Sequence, residues 1–222
     1  MNVPLRFLQF TGEFGNSVNA VPLSVGWVRN TTDSILWPTT GAAFDQTAYM
    51  TLPGVGAQFY KLTSQNTWFF PISKTFTWRT NAQLGFANPY GNTNFMPFYQ
   101  NYYVGGINTV RGYYIGSLGP RDTDGSSLGG TREVIFSNEL LFPMPGIKDN
   151  KSVRLSLFYD LGALWGGSNF NLTAEQSLRA GYGVGINWIS PLGPIKLSYA
   201  LPMFNKPNDN LQAFQFMLGS SF

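Results

Sequence analysis

The sequence predicts an all-β fold, an antiparallel transmembrane β-barrel, and three observations predict it. Apolar and polar residues alternate with period two over long segments. Those segments run about 9–13 residues, enough for a tilted strand to cross a bilayer, against the ~5–6 typical of soluble sheets. Only 11% of the 222 residues are charged while 16% are aromatic, whereas soluble domains carry roughly 25% charged residues.

The alternation defines about nine strands, expected at roughly 22–36, 42–52, 57–70, 75–87, 131–142, 151–165, 178–190, 194–202 and 212–222. In the fourth, Phe76, Trp78, Thr80, Ala82, Leu84 and Phe86 oppose Thr77, Arg79, Asn81, Gln83 and Gly85. In the fifth, Val134, Phe136, Leu140 and Phe142 face lipid, which turns Glu133, Ile135, Ser137 and Glu139 to the lumen. The sixth sets Val153, Leu155, Leu157, Tyr159, Leu161, Ala163 and Trp165 against Ser152, Arg154, Ser156 and Asp160. Phe158 and Leu164 break its polar side. The seventh sets Tyr182, Val184, Ile186 and Trp188 against Gly181, Gly183, Gly185 and Asn187, and the eighth Ile195, Leu197, Tyr199 and Leu201 against Lys196 and Ser198. The last has Phe214, Phe216, Leu218 and Phe222 on one face, with Gln215, Gly219 and Ser221 on the other.

Aromatics gather near strand ends (Trp68, Phe69, Phe70, Trp165, Trp188, Phe222), as in an interfacial girdle. Connections alternate between short Pro/Gly turns ("WPTTG", "FPIS", "FPMPGIKDN", "SPLGP") and longer loops, with Pro53–Gly56 as a short exception. Counting back from Phe222 places the short turns on the periplasmic side. A soluble sandwich also alternates, but strand length, scarce charge and the lack of a second apolar partner set argue against it. An odd strand count leaves a free edge in lipid, so either a strand lies upstream or the chain is part of a larger barrel.

The chain has neither Cys nor His, which removes disulfides, Cys/His zinc sites and histidine acid–base chemistry. The net charge of +3 is dispersed, so nucleic acid is not an expected partner. No run of ~18 apolar residues marks a transmembrane helix. The opening "MNVPLRFLQFTGEF" lacks the regions of a signal peptide, so an exported protein would have its true N-terminus elsewhere. "RDTDG", with Asp122 and Asp124, lacks the ligand spacing of a Ca²⁺ loop and reads as flexible. The glycines of 181–187 form a strand face, not a nucleotide fingerprint. No cofactor, metal or catalytic residue is expected, and a lumenal protease or phospholipase finds no site here.

The sequence resembles the bacterial surface antigen family, the outer-membrane protein assembly factors. "LSVGWVRNTTDSILWPTTG", "MPFYQNYYVGGINTVRGYYIGSLGPRD", "SNELLFPMP", "VRLSLFYDLGALW", "GVGINWISPLGPIKLSYALP" and "FQFMLGSSF" follow in family order over nearly the whole chain. The resemblance implies that residues 1–222 are the C-terminal part of a sixteen-stranded barrel. Periplasmic POTRA domains and about seven strands would lie outside it. Residues 1–21 would be the remnant of an extracellular loop with a helical turn around Leu5–Phe10. Residues 88–130 would be the long extracellular loop that folds back into the lumen.

The same resemblance gives that loop a pinning motif, Val110, Arg111, Gly112 and Tyr113. Arg111 would pair with lumenal acids that map onto Glu139 and Asp160, although strand position suggests that the two lie at different depths. The chemistry fits, because a guanidinium fork suits a carboxylate and a carboxylate in a partly dry lumen needs a partner. The last strand, with Phe214, Phe216, Leu218, Gly219 and Phe222, would form a lateral gate at which an incoming strand adds by backbone pairing. The implied function is assembly and insertion of outer-membrane β-barrel proteins, without enzymatic chemistry. Its setting would be the bacterial outer membrane, and its partners membrane lipid, unfolded outer-membrane protein substrates and assembly-complex lipoproteins. The alternative is a translocation pore of the two-partner secretion or translocation-and-assembly type.

Overall fold

A computed structural model describes residues 3–146, 152–166, 178–191 and 193–219. Among these, the long strands are β1 (Ala20–Asn30), β2 (Gly41–Gly56), β3 (Phe59–Pro71), β4 (Thr77–Pro89), β6 (Arg132–Pro143), β7 (Val153–Trp165), β8 (Arg179–Ser190) and β9 (Gly193–Met203). The shorter β11 is Phe214–Leu218. They form one nine-stranded antiparallel sheet in chain order, with β1 and β11 at its ends. Two-residue strands β5 (Gly112–Tyr113) and β10 (Leu211–Gln212) pair with each other. A helix, α1, spans Leu5–Phe14.

The pleat sorts side chains as the alternation requires. Trp78, Leu84, Phe136, Leu157, Val184, Trp188, Tyr199, Phe214, Phe216 and Leu218 are exposed on the outer face. Asn81, Glu133, Ser137, Glu139, Ser156, Asp160, Ser198 and Gln215 are buried on the inner one. An outer face so largely apolar is unsustainable in water and suited to lipid; polar side chains on it pair with each other, Thr80 with Asn138 and Gln46 with Asn66, both at 2.9 Å. Phe69 departs from the expected girdle. It is buried and lies opposite Arg79, so it belongs to the inner face.

Three boundaries differ from the sequence reading. The first strand ends at Asn30 rather than 36, because local side chains capture the backbone. Asn30 accepts from the Thr32 N–H at 2.9 Å, and Asp33 accepts from Thr39 Oγ1 at 2.5 Å, Thr39 N at 2.8 Å and Thr40 N at 3.1 Å. Pro53–Gly56 is strand, not connection, and the chain reverses at Ala57–Gln58. There the Ala57 N–H donates to Asn19 O and the Gln58 N–H to Thr93 Oγ1, so the reversal is held by other segments rather than by turn chemistry. The last segment is two pieces: Leu211–Gln212 leaves the sheet for the loop, and only Phe214–Leu218 pairs with β9. Gly219 follows with φ of 85°, a conformation that costs glycine little. Phe222 and Ser221 lie outside the described residues, as do the short turn between β6 and β7 and the long one between β7 and β8 over most of their length.

The expected helical turn is a longer helix, and its N-terminus is capped from far along the chain. Asp122 accepts from the Leu5 and Arg6 N–H groups at 3.1 and 3.2 Å and lies 3.6 Å from the Arg6 guanidinium. The Asp122 carboxylate of "RDTDG" therefore satisfies orphan helix donors and is buried, while Asp124 accepts from the Ser126 N–H and hydroxyl. Phe7 and Phe10 stack edge-on against Phe98, with centroids at 5.3 and 5.6 Å.

The Thr39 hydroxyl, then the Thr39 and Thr40 amides, hold the Asp33 carboxyl down at about 2, below its usual ~3.9. Because the folded pKa is depressed, its stabilisation is complete above about pH 4 and is lost as pH falls through the folded value. A carboxyl-carbon NMR titration should place Asp33 near 2, and Thr39→Val should return it toward the ordinary range.

Candidate functional site

The loop between β4 and β6 lies against the inner face of the sheet. Isolated bridges Tyr102–Gly130, Val104–Leu118 and Arg121–Ser127 fold it on itself. Val104, Val110, Tyr113 and Leu118 form one buried cluster with Ile135 and Leu164 of the wall. The two apolar breaks in the polar side of β7 now have a cause: they are where the loop rests. The Leu164 side chain packs where a Cβ on Gly119 would reach within 2.6 Å of it. Phe158 lies under the Arg111 guanidinium, 3.4 Å from its ring centroid.

Arg111 is 8% exposed and Asp160 0%. The pair is bidentate, Nε to Oδ2 and Nη2 to Oδ1, both at 2.7 Å. The Arg111 backbone N–H adds a third bond to Asp160 Oδ2 at 3.1 Å. Nη1 meets Glu139 Oε1 at 2.5 Å, and the other Glu139 oxygen is 3.5 Å from Arg79 Nη1. Ser137 Oγ donates to Asp160 Oδ1 at 2.6 Å and accepts from Arg111 Nη2 at 3.3 Å. Two guanidiniums thus face two carboxylates, and the Lys196 ammonium also acts on Glu139. This pairing, with most donors used, lets so many charges sit out of water. Burial by itself lowers the Arg111 pKa, but Glu139 and Asp160 outweigh it and raise it above its ordinary value.

Glu139 and Asp160 do differ in depth, by two residues, but the difference does not keep either from the loop: both contact Arg111. Antiparallel pairing sets Ser137 opposite Asp160 and Glu139 opposite Phe158, so the two acids are diagonal neighbours on one face. A single guanidinium spans that diagonal. Phase alone identified both residues as inward; only the register shows that they meet.

Gly112 has φ of 95°, left-handed backbone that disfavours side chains. Tyr113 is fully buried, and its hydroxyl donates to Met203 O at 2.7 Å. Burial, and secondarily Asp209, push the Tyr113 hydroxyl up to about 12, with Arg179 opposing, so it remains a donor through the physiological range. Val110 and the Arg111 carbonyl press on Gly162 and Gly181 of the wall, where a Cβ would collide with them. These inner-face glycines mark the loop's path. Sequence reading also missed Arg179–Asp209, an ion pair with bonds of 2.6 and 3.1 Å that ties the segment after β9 to the start of β8. Nothing in the local sequence signals it, because its partners are 30 residues apart.

A loop drawn against the inner face of an antiparallel sheet with a largely apolar outer face, and locked there by an ion-paired arginine, defines part of a loop-occupied transmembrane β-barrel. The chain belongs to the Omp85 superfamily, whose domain matches residues 11–222. It is 44% identical to the outer membrane protein assembly factor BamA of Neisseria meningitidis over 90% of this chain and 28% of that protein. It is 28% identical to a SAM50-like protein of Schizosaccharomyces pombe over 95% of this chain and 46% of the relative. Among solved structures, BamA from Haemophilus ducreyi lacking POTRA domains 1-3 superposes with a TM-score of 0.87 at 26% identity. That match covers 99% of this chain and 48% of the other. The nine strands are thus part of a BamA-type barrel, and the chain spans less than half the length of these relatives.

Gly181→Val should displace the loop, since any side chain there meets the Arg111 carbonyl. Limited proteolysis should then cleave within residues 90–131, with a stability loss of about 1–3 kcal/mol from overpacking. Gly26→Ala, whose Cβ would meet Gln46 O only at 4.0 Å, should leave the loop protected.

Proposed function

We propose that this chain forms part of the barrel of an outer-membrane protein assembly factor, acting on unfolded β-barrel substrates without covalent chemistry. The observation that carries the reading is the Arg111–Asp160–Glu139 cluster, which fixes a long loop inside the sheet. The names of the relatives, assembly factors and SAM50-like proteins, favour assembly over a secretion pore.

In this reading the long loop and α1 lie at the extracellular end and the short turns at the periplasmic end, and POTRA domains belong to the whole protein. Val110, Arg111, Gly112 and Tyr113 keep the loop seated, with Glu139 and Asp160 as its anchors. The last strand, through Phe214, Phe216, Leu218 and Gly219, is the seam. Among the described residues β11 has five paired residues on β9, whereas β8 and β9 share eleven. Fewer ladder bonds make it the easier strand to open, and an opened edge offers free backbone donors and acceptors to an incoming strand. Membrane lipid contacts the exposed outer face, and assembly lipoproteins bind the whole protein.

In the full-length protein, Arg111→Ala removes the charge that compensates two buried carboxylates, a change expected to cost about 3–5 kcal/mol. Outer-membrane protein levels should fall, and Arg111→Lys should rescue poorly, since one ammonium does not reproduce a bidentate fork plus a bond to Glu139. Normal levels of assembled outer-membrane proteins in the Arg111→Ala strain would contradict the reading.

A further inference from the structure

The pinned loop does not stop at Arg111. The next residues, Gly112 and Tyr113, pair with Gln212 and Leu211, and the Tyr114 N–H donates to Asn210 O at 2.8 Å. The segment just before β11 is therefore laddered to the loop rather than to the wall. Within β11, Gln215 is 4% exposed and points inward. Its Nε2 donates to Tyr113 O at 2.7 Å. A carbonyl only accepts, so the amide orientation is fixed by this bond. Met217, next on the inner face, meets Asn108 Nδ2 at 3.4 Å through its sulfur. From Asn108 to Tyr114 the loop thus reaches the last strand by backbone and side chain alike.

We propose that Gln215 is a positioning residue that latches β11 to the pinned loop. The chain of contacts is continuous: β6 and β7 hold Arg111, Arg111 sets Gly112 and Tyr113, and these hold Leu211, Gln212 and Gln215. The loop bridges the wall to the last strand across β8 and β9, passing over Gly181 and beside Pro202, whose atoms lie 3.3 Å from a Cβ built on Gly112. Beside the five residues of β11 that pair with β9 among the described residues, the loop supplies a further attachment through Gln215 and Met217. Loop seating and seam closure are then one equilibrium. This rests on the reading of β11 as the seam, but its test does not depend on assembly activity.

Hydrogen–deuterium exchange on the full-length protein in lipid nanodiscs reads the latch directly. Gln215→Leu, which keeps bulk and removes the donor, should raise exchange of the Phe214–Leu218 amides about fivefold, the effect of losing one buried hydrogen bond. Exchange in β6 and β7 should not change. Arg111→Ala should raise exchange in the same segment, and adding Gln215→Leu should give little more. A second measurement covers variants that fail to fold. In the full-length protein freed of any other cysteine, Tyr114→Cys with Asn210→Cys gives a pair that oxidation links across the latch. The oxidised form should exchange its Phe214–Leu218 amides more slowly than the reduced form. Unchanged β11 exchange in Gln215→Leu, or equal β11 exchange in the linked and reduced forms, would overturn the latch. Normal assembly by Arg111→Ala would instead overturn the functional reading beneath it.

Discussion

The structure turns on one constraint: a guanidinium held out of water must be neutralised where it sits. Arg111 meets this with Asp160 in a two-point fork, Glu139 on its remaining side and the Phe158 ring beneath it. Arg79 balances the second carboxylate. An isolated buried ion costs several kcal/mol, and an ion pair recovers this only with good geometry and saturated hydrogen bonds. The cluster therefore tolerates one arrangement well and its neighbours poorly. That intolerance gives a loop of about forty residues a defined seat.

Much else follows from seating the loop. The wall must present small residues where backbone crosses it, hence Gly162 and Gly181 beneath Val110 and the Arg111 carbonyl. It must present apolar residues where the loop's own core lands, hence Ile135 and Leu164. The outer face is free of these demands and stays largely apolar, as lipid requires, with polar side chains there bonded to one another, Thr80 to Asn138 and Gln46 to Asn66. The seat also brings Gly112 and Tyr113 to the last strand, so the most buried part of the site and the shortest strand of the main sheet are neighbours through a few bonds.

The barrel wall was legible because period-two alternation and lipid exposure leave a direct imprint on sequence. Strand phase alone turned Glu139 and Asp160 inward, and the family motif singled out Arg111. What was not legible depended on register or on distant partners. Ser137 opposite Asp160 places Glu139 one pleat away, a fact that no single strand contains. Phe158 and Leu164 stood out as breaks in a pattern, but their meaning required the loop above them. The division of the last strand at Ala213 also has a non-local cause. Its carbonyl still accepts from the Ala200 N–H at 2.9 Å, while the two residues before it pair with a loop about 100 residues earlier. Asp122 read as an unremarkable loop acid because the helix end that it caps lies 116 residues away.

The central claim is that Arg111 and its carboxylates act as one unit, and a double-mutant cycle on thermal unfolding of the full-length protein tests it most directly. Arg111→Ala, Asp160→Asn and the double variant are compared with the parent. The cluster predicts a double variant hardly less stable than Arg111→Ala alone, with a coupling energy of about 1–3 kcal/mol. Effects that add to within about 0.5 kcal/mol would mean that the two side chains contribute independently, contradicting the pin.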